Sequence, residues 1–229
     1  MRAAVGGGEA LGARKAGLAH ETEPYIERLL WSAGLVRVAG VDEVGMGPLA
    51  GPVVAAAVVF ACDARPLRGI ADSKVLSGPA REATAAAIRA TALGVGLGIV
   101  GPEEIDRLNI YQAGLQAMRR AVLALPFLPD HVVVDARRIP ELGIPQTRYV
   151  RADAIVYSVA AASIIAKVHR DGLMRACDAT YPAYGFARHV GYGTREHLQA
   201  LAEYGPTPLH RRSFAPCAAA AARFAGAVG

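Results

Sequence analysis

The chain has 229 residues, of which 53% are hydrophobic, and it carries a formal net charge of +5 with an isoelectric point near 9.3. No apolar run is both long enough and free enough of charge to span a bilayer, and residues 1–20 lack the continuous apolar segment of a signal peptide. The three widely spaced cysteines argue against a disulfide framework or a zinc cluster, so we expect a cytoplasmic protein, while the basic charge permits a polyanionic partner.

The N-terminal part of the chain predicts one helix and two strands. Residues 1–22 are rich in glycine and show no hydrophobic periodicity, so we expect a disordered extension before a domain that spans 23–216. A helix is expected next, ending at Gly34. Two apolar strands follow, over 35–44 and 51–62, joined by a tight glycine-proline turn.

The rest of the chain alternates between helices and strands. The expected elements are a helix over 79–91 with Ser77 as its cap, a strand over 93–100, a helical turn from Pro102, a helix over 109–125, strands over 131–135 and 148–152, a long helix over 156–179, a loop over 181–193, a helix over 195–204, an extended basic segment over 205–214 and a frayed tail over 217–229. Short connections favour antiparallel pairing of the first three strands, and helical connections favour parallel pairing of the later ones. We therefore predict an α/β protein with a mixed sheet that helices cover on both faces.

Acidic side chains stand at the ends of apolar segments. Asp42 and Glu43 end the first strand, Asp135 ends the strand over 131–135, and Asp153 precedes the long helix. Taken singly, Asp135 is explained as a turn residue and Asp153 as a helix N-cap. As a set they indicate a functional cluster, because buried carboxylates are costly unless they are paired or bind a cation.

Carboxylates are the ligands that Mg²⁺ and Mn²⁺ prefer, and two such ions about 4 Å apart can activate a water and stabilise a leaving oxygen. No histidine spacing resembles a zinc site. Adjacent strand residues point to opposite faces, so Asp42 and Glu43 share a site only if the strand ends or twists there, which Gly45 and Gly47 favour. The residues thus predict a metal-dependent site that cuts phosphodiesters.

Several motifs, spread in order over residues 37–216, resemble those of the ribonuclease HII family. They are Val41-Asp-Glu-Val-Gly-Met-Gly-Pro-Leu-Ala-Gly-Pro, Asp72-Ser-Lys-Val-Leu-Ser, Leu108-Asn-Ile-Tyr-Gln-Ala, Val134-Asp, Ala152-Asp, Ala160-Ala-Ala-Ser-Ile-Ile-Ala-Lys-Val-His-Arg-Asp, Tyr181-Pro-Ala-Tyr-Gly-Phe, Gly191-Tyr and His210-Arg-Arg-Ser-Phe. The resemblance implies a ribonuclease H-like fold, with a five-stranded mixed sheet flanked by helices and a helical C-terminal appendage over about 172–216.

The resemblance also implies a chemistry. Asp42, Glu43, Asp135 and Asp153 would be the catalytic and metal-binding acids, acting with Mg²⁺ or Mn²⁺. The substrates would be RNA–DNA hybrids and duplex DNA that contains ribonucleotides, with incision on the 5′ side of the ribonucleotide to leave a 3′-hydroxyl and a 5′-phosphate. We expect a monomer, since nothing in the sequence indicates obligate oligomerisation.

Substrate recognition is expected at a glycine loop and a tyrosine. Gly45-Met46-Gly47 resembles the family's Gly-Arg-Gly, whose backbone reads the 2′-hydroxyl, the group that distinguishes RNA from DNA. Tyr192 resembles a tyrosine that packs on the deoxyribose after the ribonucleotide; on its own it would be explained as a loop anchor. The candidates for phosphate contacts are Lys74, Lys167, Arg211 and Arg212, although a solvated surface explains most such side chains.

Two further expectations concern single residues. Met46 replaces the guanidinium of the family pattern, so we expect an active enzyme with weakened substrate binding. Ser163, on the long helix, is expected to be a packing residue that bonds the preceding turn. The alternatives are a catalytically silent protein that binds hybrids, or another metal nuclease such as a DNA resolvase or a 3′-exonuclease.

Overall fold

The computed structural model describes residues 22–70, 73 and 76–226. A five-stranded sheet with the strand order β3-β2-β1-β4-β5 forms its centre. The strands are β1 (Val38–Val44), β2 (Val53–Val59), β3 (Gly94–Val100), β4 (His131–Asp135) and β5 (Gln146–Tyr149). The β1–β2 and β2–β3 pairs are antiparallel, and the β1–β4 and β4–β5 pairs are parallel, which confirms the predicted mixed sheet.

Nine α-helices surround the sheet in the described part of the chain. They are α1 (Tyr25–Ser32), α2 (Gly78–Thr91), α3 (Pro102–Leu108), α4 (Ile110–Leu123), α5 (Ala152–Ile155), α6 (Tyr157–Thr180), α7 (Phe186–His189), α8 (Arg195–Tyr204) and α9 (Ala215–Gly226), with a 3₁₀ turn at Pro182–Tyr184. Ser77 caps α2 as expected, since its hydroxyl accepts a hydrogen bond from the Ala80 N–H. None of these helices has the length and apolar character needed to cross a bilayer.

The two faces of the sheet pack against different helices, and the alternation of side chains along β1 decides which residue meets which helix. Val41 belongs to the core on the α4 side, whereas Gly40 lies directly under α6. A β-carbon at Gly40 would lie 2.2 Å from the Ser158 carbonyl carbon, so only glycine lets α6 pack this close to the strand. Even-numbered residues of β1 therefore face α6 and odd-numbered ones face α4.

A buried carboxylate fixes the beginning of α6. Glu27 of α1 is 1% exposed, and its Oε1 accepts hydrogen bonds from the Ser158 backbone N–H (2.7 Å) and hydroxyl (2.5 Å). The N-cap residue of α6, Val156, has no side chain that could do this. A negative charge at a helix N-terminus is stabilising, so α1 acts as an external cap for α6.

The structure differs from the sequence-based expectations at the fifth strand, at the segment 181–193 and at the C-terminal tail. The fifth strand lies over Gln146–Tyr149 rather than 148–152, because Arg151 adopts a left-handed conformation (φ 59°) and α5 begins immediately after it. Part of the segment expected to be a loop, 181–193, forms α7 and the 3₁₀ turn.

The frayed tail expected over 217–229 is instead helical as far as Gly226, and the last three residues lie outside the described part. Cys217 and Ala220 are buried against Leu49 and Leu201, which anchors α9 on the C-terminal helices. The extension expected over residues 1–22 lies outside the described residues except for Thr22.

Candidate active site

The last residues of β1 place two acidic side chains on opposite faces of the sheet, and both side chains line the same cavity. Asp42 shares the face of Gly40 and hydrogen-bonds the Ser163 hydroxyl of α6. Glu43 is on the α4 face, where its Cγ lies 3.9 Å from the β-carbon position of Gly114. Both side chains line a cavity of about 270 Å³, because the strand ends at Val44 and leaves the sheet edge open.

The parallel neighbour β4 and the short helix α5 supply the other two acids of this cavity. Val41 pairs with Val134, so the carboxyl ends of β1 and β4 coincide and place Asp135 beside Asp42. One oxygen of Asp135 accepts a hydrogen bond from the Ala152 N–H (2.9 Å), which ties α5 to the end of β4. Asp153 then lines the cavity from the first turn of α5.

The structure rejects the N-cap explanation of Asp153. The N-cap position of α5 is Arg151, and Asp153 lies within the first turn, 6% exposed. The helix dipole favours a carboxylate there. The same position directs the side chain into the cavity, where its charge raises the pKa of Asp42.

Burial raises the pKa values of two of the acids. Burial, followed by the charge of Glu43, raises the pKa of Asp42 well above its usual range, and only the Ser163 hydrogen bond opposes this. Burial also raises the pKa of Glu43 to about 7; the charge of Arg137 lowers it and that of Asp135 raises it further. Such a cluster is stabilised by a bound cation, which would lower both pKa values.

The donor set suits Mg²⁺ or Mn²⁺, since it consists of hard carboxylate oxygens at a water-accessible edge. Within the described residues, no group of three or more His, Cys, Asp or Glu side chains is arranged to hold a metal ion as it stands. Mg²⁺ does not require one, because it keeps several waters and is held by one or two carboxylates together with substrate phosphate.

The loop after β1 turns two carbonyl groups toward Arg211 and the N–H groups that follow them away from it. Arg211 Nη2 donates to the Gly45 carbonyl (2.6 Å) and Nη1 donates to the Met46 carbonyl (3.1 Å). In a trans peptide the N–H points away from the carbonyl, so the Met46 and Gly47 N–H groups face away from Arg211. Neither N–H donates to a group of the described chain, and both residues line the cavity.

Arg211 is therefore not a phosphate contact, contrary to expectation. It is 0% exposed, and its Nε and Nη2 also bond the Gly51 carbonyl (both 3.0 Å). Burial, followed by the nearby charge of Arg170, lowers its pKa to about 9. Its role is to fix the conformation of the glycine loop through hydrogen bonds to these carbonyl groups.

A second buried arginine joins the glycine loop to the loop that carries Tyr192. Arg170 of α6 is 1% exposed and donates to the carbonyls of Pro52 (2.9 Å), Val190 (3.0 Å) and Ala50 (3.2 Å). Its side chain also lines the cavity. Sequence reasoning missed both Arg170 and the contact of Ser163 with Asp42, although the motif on α6 contains both residues.

Tyr192 stands at the mouth of the cavity with 45% of its surface exposed. A β-carbon at Gly47 would lie 3.8 Å from the Tyr192 ring, so the ring and the glycine loop are neighbours. The Tyr192 backbone is held from behind, because its N–H donates to the His189 carbonyl and its carbonyl lies 2.8 Å from His197 Nδ1.

A chain of neutral histidines supports Tyr192. The Thr207 N–H donates to His210 Nδ1, which places the proton of His210 on Nε2, facing His197 Nε2 at 3.0 Å. The proton of His197 is then on Nδ1 and is donated to the Tyr192 carbonyl. Burial, followed by the His197 charge, lowers the pKa of His210 to about 4, so the chain stays neutral at pH 7.

The remaining candidates for phosphate contacts differ in their positions. Lys167 lines the cavity and forms an ion pair with Asp171 at 2.9 Å. Arg212 is exposed but does not line the cavity; its backbone N–H donates to Asp106. Lys74 lies outside the described residues.

Met46 occupies space that a glycine leaves open. Its side chain is half-buried and packs on the core of the α4 side. A β-carbon at Gly114 would lie 3.0 Å from Met46 Sδ, so Gly114 in the middle of α4 makes room for the thioether. An apolar side chain thus fills part of the cavity wall at the position where the family pattern has a guanidinium.

A mixed sheet of this order, with acids gathered at the ends of its central strands, defines a metal-dependent nuclease of the ribonuclease H-like fold. Among solved structures, the ribonuclease H2 from Pyrococcus horikoshii OT3 matches with a TM-score of 0.70 and 26% identity, over 82% of this chain and 99% of that one. The ribonuclease HII from Archaeoglobus fulgidus, solved in a complex with PCNA, matches with a TM-score of 0.65 and 28% identity, over 76% of this chain and 93% of that one.

The sequence comparisons define the family. The ribonuclease HII model matches residues 39–217. The ribonuclease HII of Geobacillus kaustophilus (strain HTA426) is 56% identical over 83% of this chain and 72% of its own length. That of Herpetosiphon aurantiacus is 54% identical over 84% and 95%, respectively. The chain belongs to the ribonuclease HII family, whose members are metal-dependent endoribonucleases that cleave the RNA of RNA–DNA hybrids.

Proposed function

We propose that this chain incises duplex DNA on the 5′ side of an embedded ribonucleotide, as well as cutting the RNA strand of hybrids, and leaves a 3′-hydroxyl and a 5′-phosphate. The observation that carries the proposal is the shared cavity: four acids, the glycine loop and Tyr192 all line the same 270 Å³ space. In a site of this kind the acids can act on a phosphodiester while the glycine loop contacts a 2′-hydroxyl and Tyr192 contacts the next sugar.

Asp42, Glu43, Asp135 and Asp153 are assigned to hold two Mg²⁺ or Mn²⁺ ions. When bound, the ions supply the activation of the attacking water and the stabilisation of the leaving oxygen. Ser163 orients Asp42, and the Ala152 N–H orients Asp135. The raised pKa of Glu43, about 7, fits a carboxylate whose charged form a bound cation would stabilise.

The glycine loop is assigned to recognise the ribonucleotide. The outward N–H groups of Met46 and Gly47 can donate to the 2′-hydroxyl oxygen, which a deoxyribose lacks. Gly47 is exposed and has no side chain to obstruct a sugar, and the adjacent Tyr192 ring offers an apolar surface to the following deoxyribose. Lys167, at the α6 side of the cavity, is assigned to a backbone phosphate. We expect the chain to act as a monomer.

The experiment compares three labelled duplexes of the same sequence: DNA with a single ribonucleotide, an RNA–DNA hybrid and DNA alone. Each is incubated with Mg²⁺, Mn²⁺ or a chelator. We expect metal-dependent nicking 5′ to the ribonucleotide and cutting of the hybrid, with the DNA duplex intact.

Two variants complete the design. Asp135→Asn should abolish nicking, whereas Asp63→Asn, which removes an exposed acid outside the cavity, should leave it unchanged. Binding of the ribonucleotide duplex without nicking in either metal would identify a silent binding protein. Cutting of the all-DNA duplex would indicate a different nuclease.

A further inference from the structure

Arg137 lies beside the acids at a strained turn. It follows Asp135 by two residues, and its N–H donates to the Asp135 carbonyl at 2.5 Å. Ala136 between them has a φ of 54°, a left-handed conformation that is unfavourable for residues other than glycine. Strain of this kind persists where the surrounding structure holds it, and it is concentrated at functional sites.

The guanidinium of Arg137 is near the acids without forming an ion pair. Its Cζ lies 4.5 Å from the centre of the Tyr111 ring, in a cation–π contact. In the described part of the chain no carboxylate lies within 4.0 Å of it. The Arg137 side chain thus reaches α4 at Tyr111, one turn before Gly114, whose β-carbon position lies 3.9 Å from Glu43 Cγ.

Tyr111 places this pair on the α4 side of the cavity. It lies in the first turn of α4, one turn before Gly114, and residues three apart share a helix face. Gly114 contacts Met46 and approaches Glu43, so the Tyr111 face of the helix borders the cavity. Tyr111 is 46% exposed, which leaves the pair open to a large ligand.

We propose that Arg137, stacked on Tyr111, forms a phosphate-binding subsite at the α4 side of the cavity and provides the cationic contact that Met46 cannot. The inference rests on the proposed function, in which a nucleic-acid duplex occupies the cavity. A planar guanidinium binds two oxygens of one phosphate at once, and stacking on a ring holds its plane before the ligand arrives. Lys167 lies on the α6 side, so the acids are flanked by a cation on each face of the sheet.

The test measures the binding of a fluorescent duplex with one embedded ribonucleotide, in chelator, over a series of salt concentrations. Arg137→Ala should weaken binding about tenfold at 0.1 M salt, and the slope of log K against log salt should decrease by about 0.9, the value for one phosphate contact. Arg137→Lys should keep the slope and recover only part of the affinity, because an ammonium keeps the charge without the planar fork.

Arg138→Ala is the matched control. Arg138 is the exposed neighbour of Arg137 and lines other surface depressions, so its removal changes the net charge equally without touching the subsite. Its affinity and salt slope should stay within about twofold and 0.2 of wild type. An Arg137→Ala variant with a wild-type slope, or equal losses in both alanine variants, would overturn the proposal.

The experiment distinguishes failure of the Arg137 subsite from failure of the proposed function. If the wild-type enzyme nicks at the ribonucleotide but Arg137→Ala keeps the wild-type salt slope, the subsite is refuted and the proposed function stands. If the wild-type enzyme does not nick but the slope still decreases in Arg137→Ala alone, the phosphate contact stands and the proposed function is refuted.

Discussion

The buried side chain of Arg211 offers the sharpest test of how the glycine loop is built. The substitution Arg211→Lys keeps the positive charge but replaces a planar fork with a single ammonium. In the structure the guanidinium makes four hydrogen bonds to three carbonyls, those of Gly45, Met46 and Gly51. A lysine ammonium cannot reach all three, so we expect one or two buried carbonyls to lose their partner.

The magnitude follows from the cost of an unsatisfied buried group, about 1–3 kcal/mol each. We therefore expect the free energy of unfolding to decrease by about 2–4 kcal/mol, measured by urea denaturation with circular dichroism. The loop carbonyls would also be free to rotate, so the Met46 and Gly47 amides would no longer be held in the orientation that the proposed recognition of the 2′-hydroxyl requires. The preference for a ribonucleotide duplex over an all-DNA duplex, measured as a ratio of dissociation constants in chelator, should then decrease by about tenfold.

Arg212→Lys is the control for this experiment, because Arg212 is the exposed neighbour of Arg211 and does not line the cavity. It should leave both stability and preference unchanged. The reasoning would be refuted if Arg211→Lys kept the wild-type preference while remaining folded. A loss of stability with intact preference would show that Arg211 holds the fold but does not orient the amides.

Two other predictions concern the same region. Met46→Arg should tighten duplex binding and steepen its salt dependence by about 0.9, whereas Met46→Leu, which keeps an apolar contact with Gly114, should not; unchanged or weaker binding by the arginine variant would contradict this. Stability should also depend on pH through His210, whose pKa is lowered from 6.5 to about 4. Its contribution is present above pH 6.5 and is lost as the pH falls toward 4, because burial disfavours the protonated, charged ring. We expect the wild type to lose about 2 kcal/mol relative to a His210→Gln variant between pH 7 and pH 5 in urea titrations. The comparison with the variant cancels the opposite contribution of Glu43, whose pKa is raised to about 7, and an unchanged difference between the two proteins would refute the neutral histidine chain.

The sequence predicted the strands and the acids because their physical signals are local. The apolar runs that form β1 and β4 end at Asp42 and Asp135, and the parallel pairing of these strands brings the two acids together. The sequence left open whether Asp42 and Glu43 share a site, because adjacent strand residues point to opposite faces. In the structure they do face opposite sides of the sheet, but both line one cavity, because the strand ends there and the cavity spans the edge of the sheet.

The errors have physical reasons too. A buried arginine looks like an exposed one in the sequence, since the carbonyls that hold Arg211 come from residues about 160 positions earlier in the chain. The role of Ser163 depends on α6 passing over Asp42, which the helical pattern alone does not show. The helix α9 lacked a strong amphipathic signal, and only the contacts of Cys217 and Ala220 explain why it is ordered.

The most direct test of the central claim moves the ribonucleotide. A set of duplexes with identical sequence carries the single ribonucleotide at successive positions along one strand, and the product ends are mapped at single-nucleotide resolution in Mg²⁺ and in Mn²⁺. The account predicts that the nick moves in step with the ribonucleotide, always on its 5′ side and always with a 3′-hydroxyl. A nick that stays at a fixed sequence position, or one that falls on the 3′ side, would contradict it.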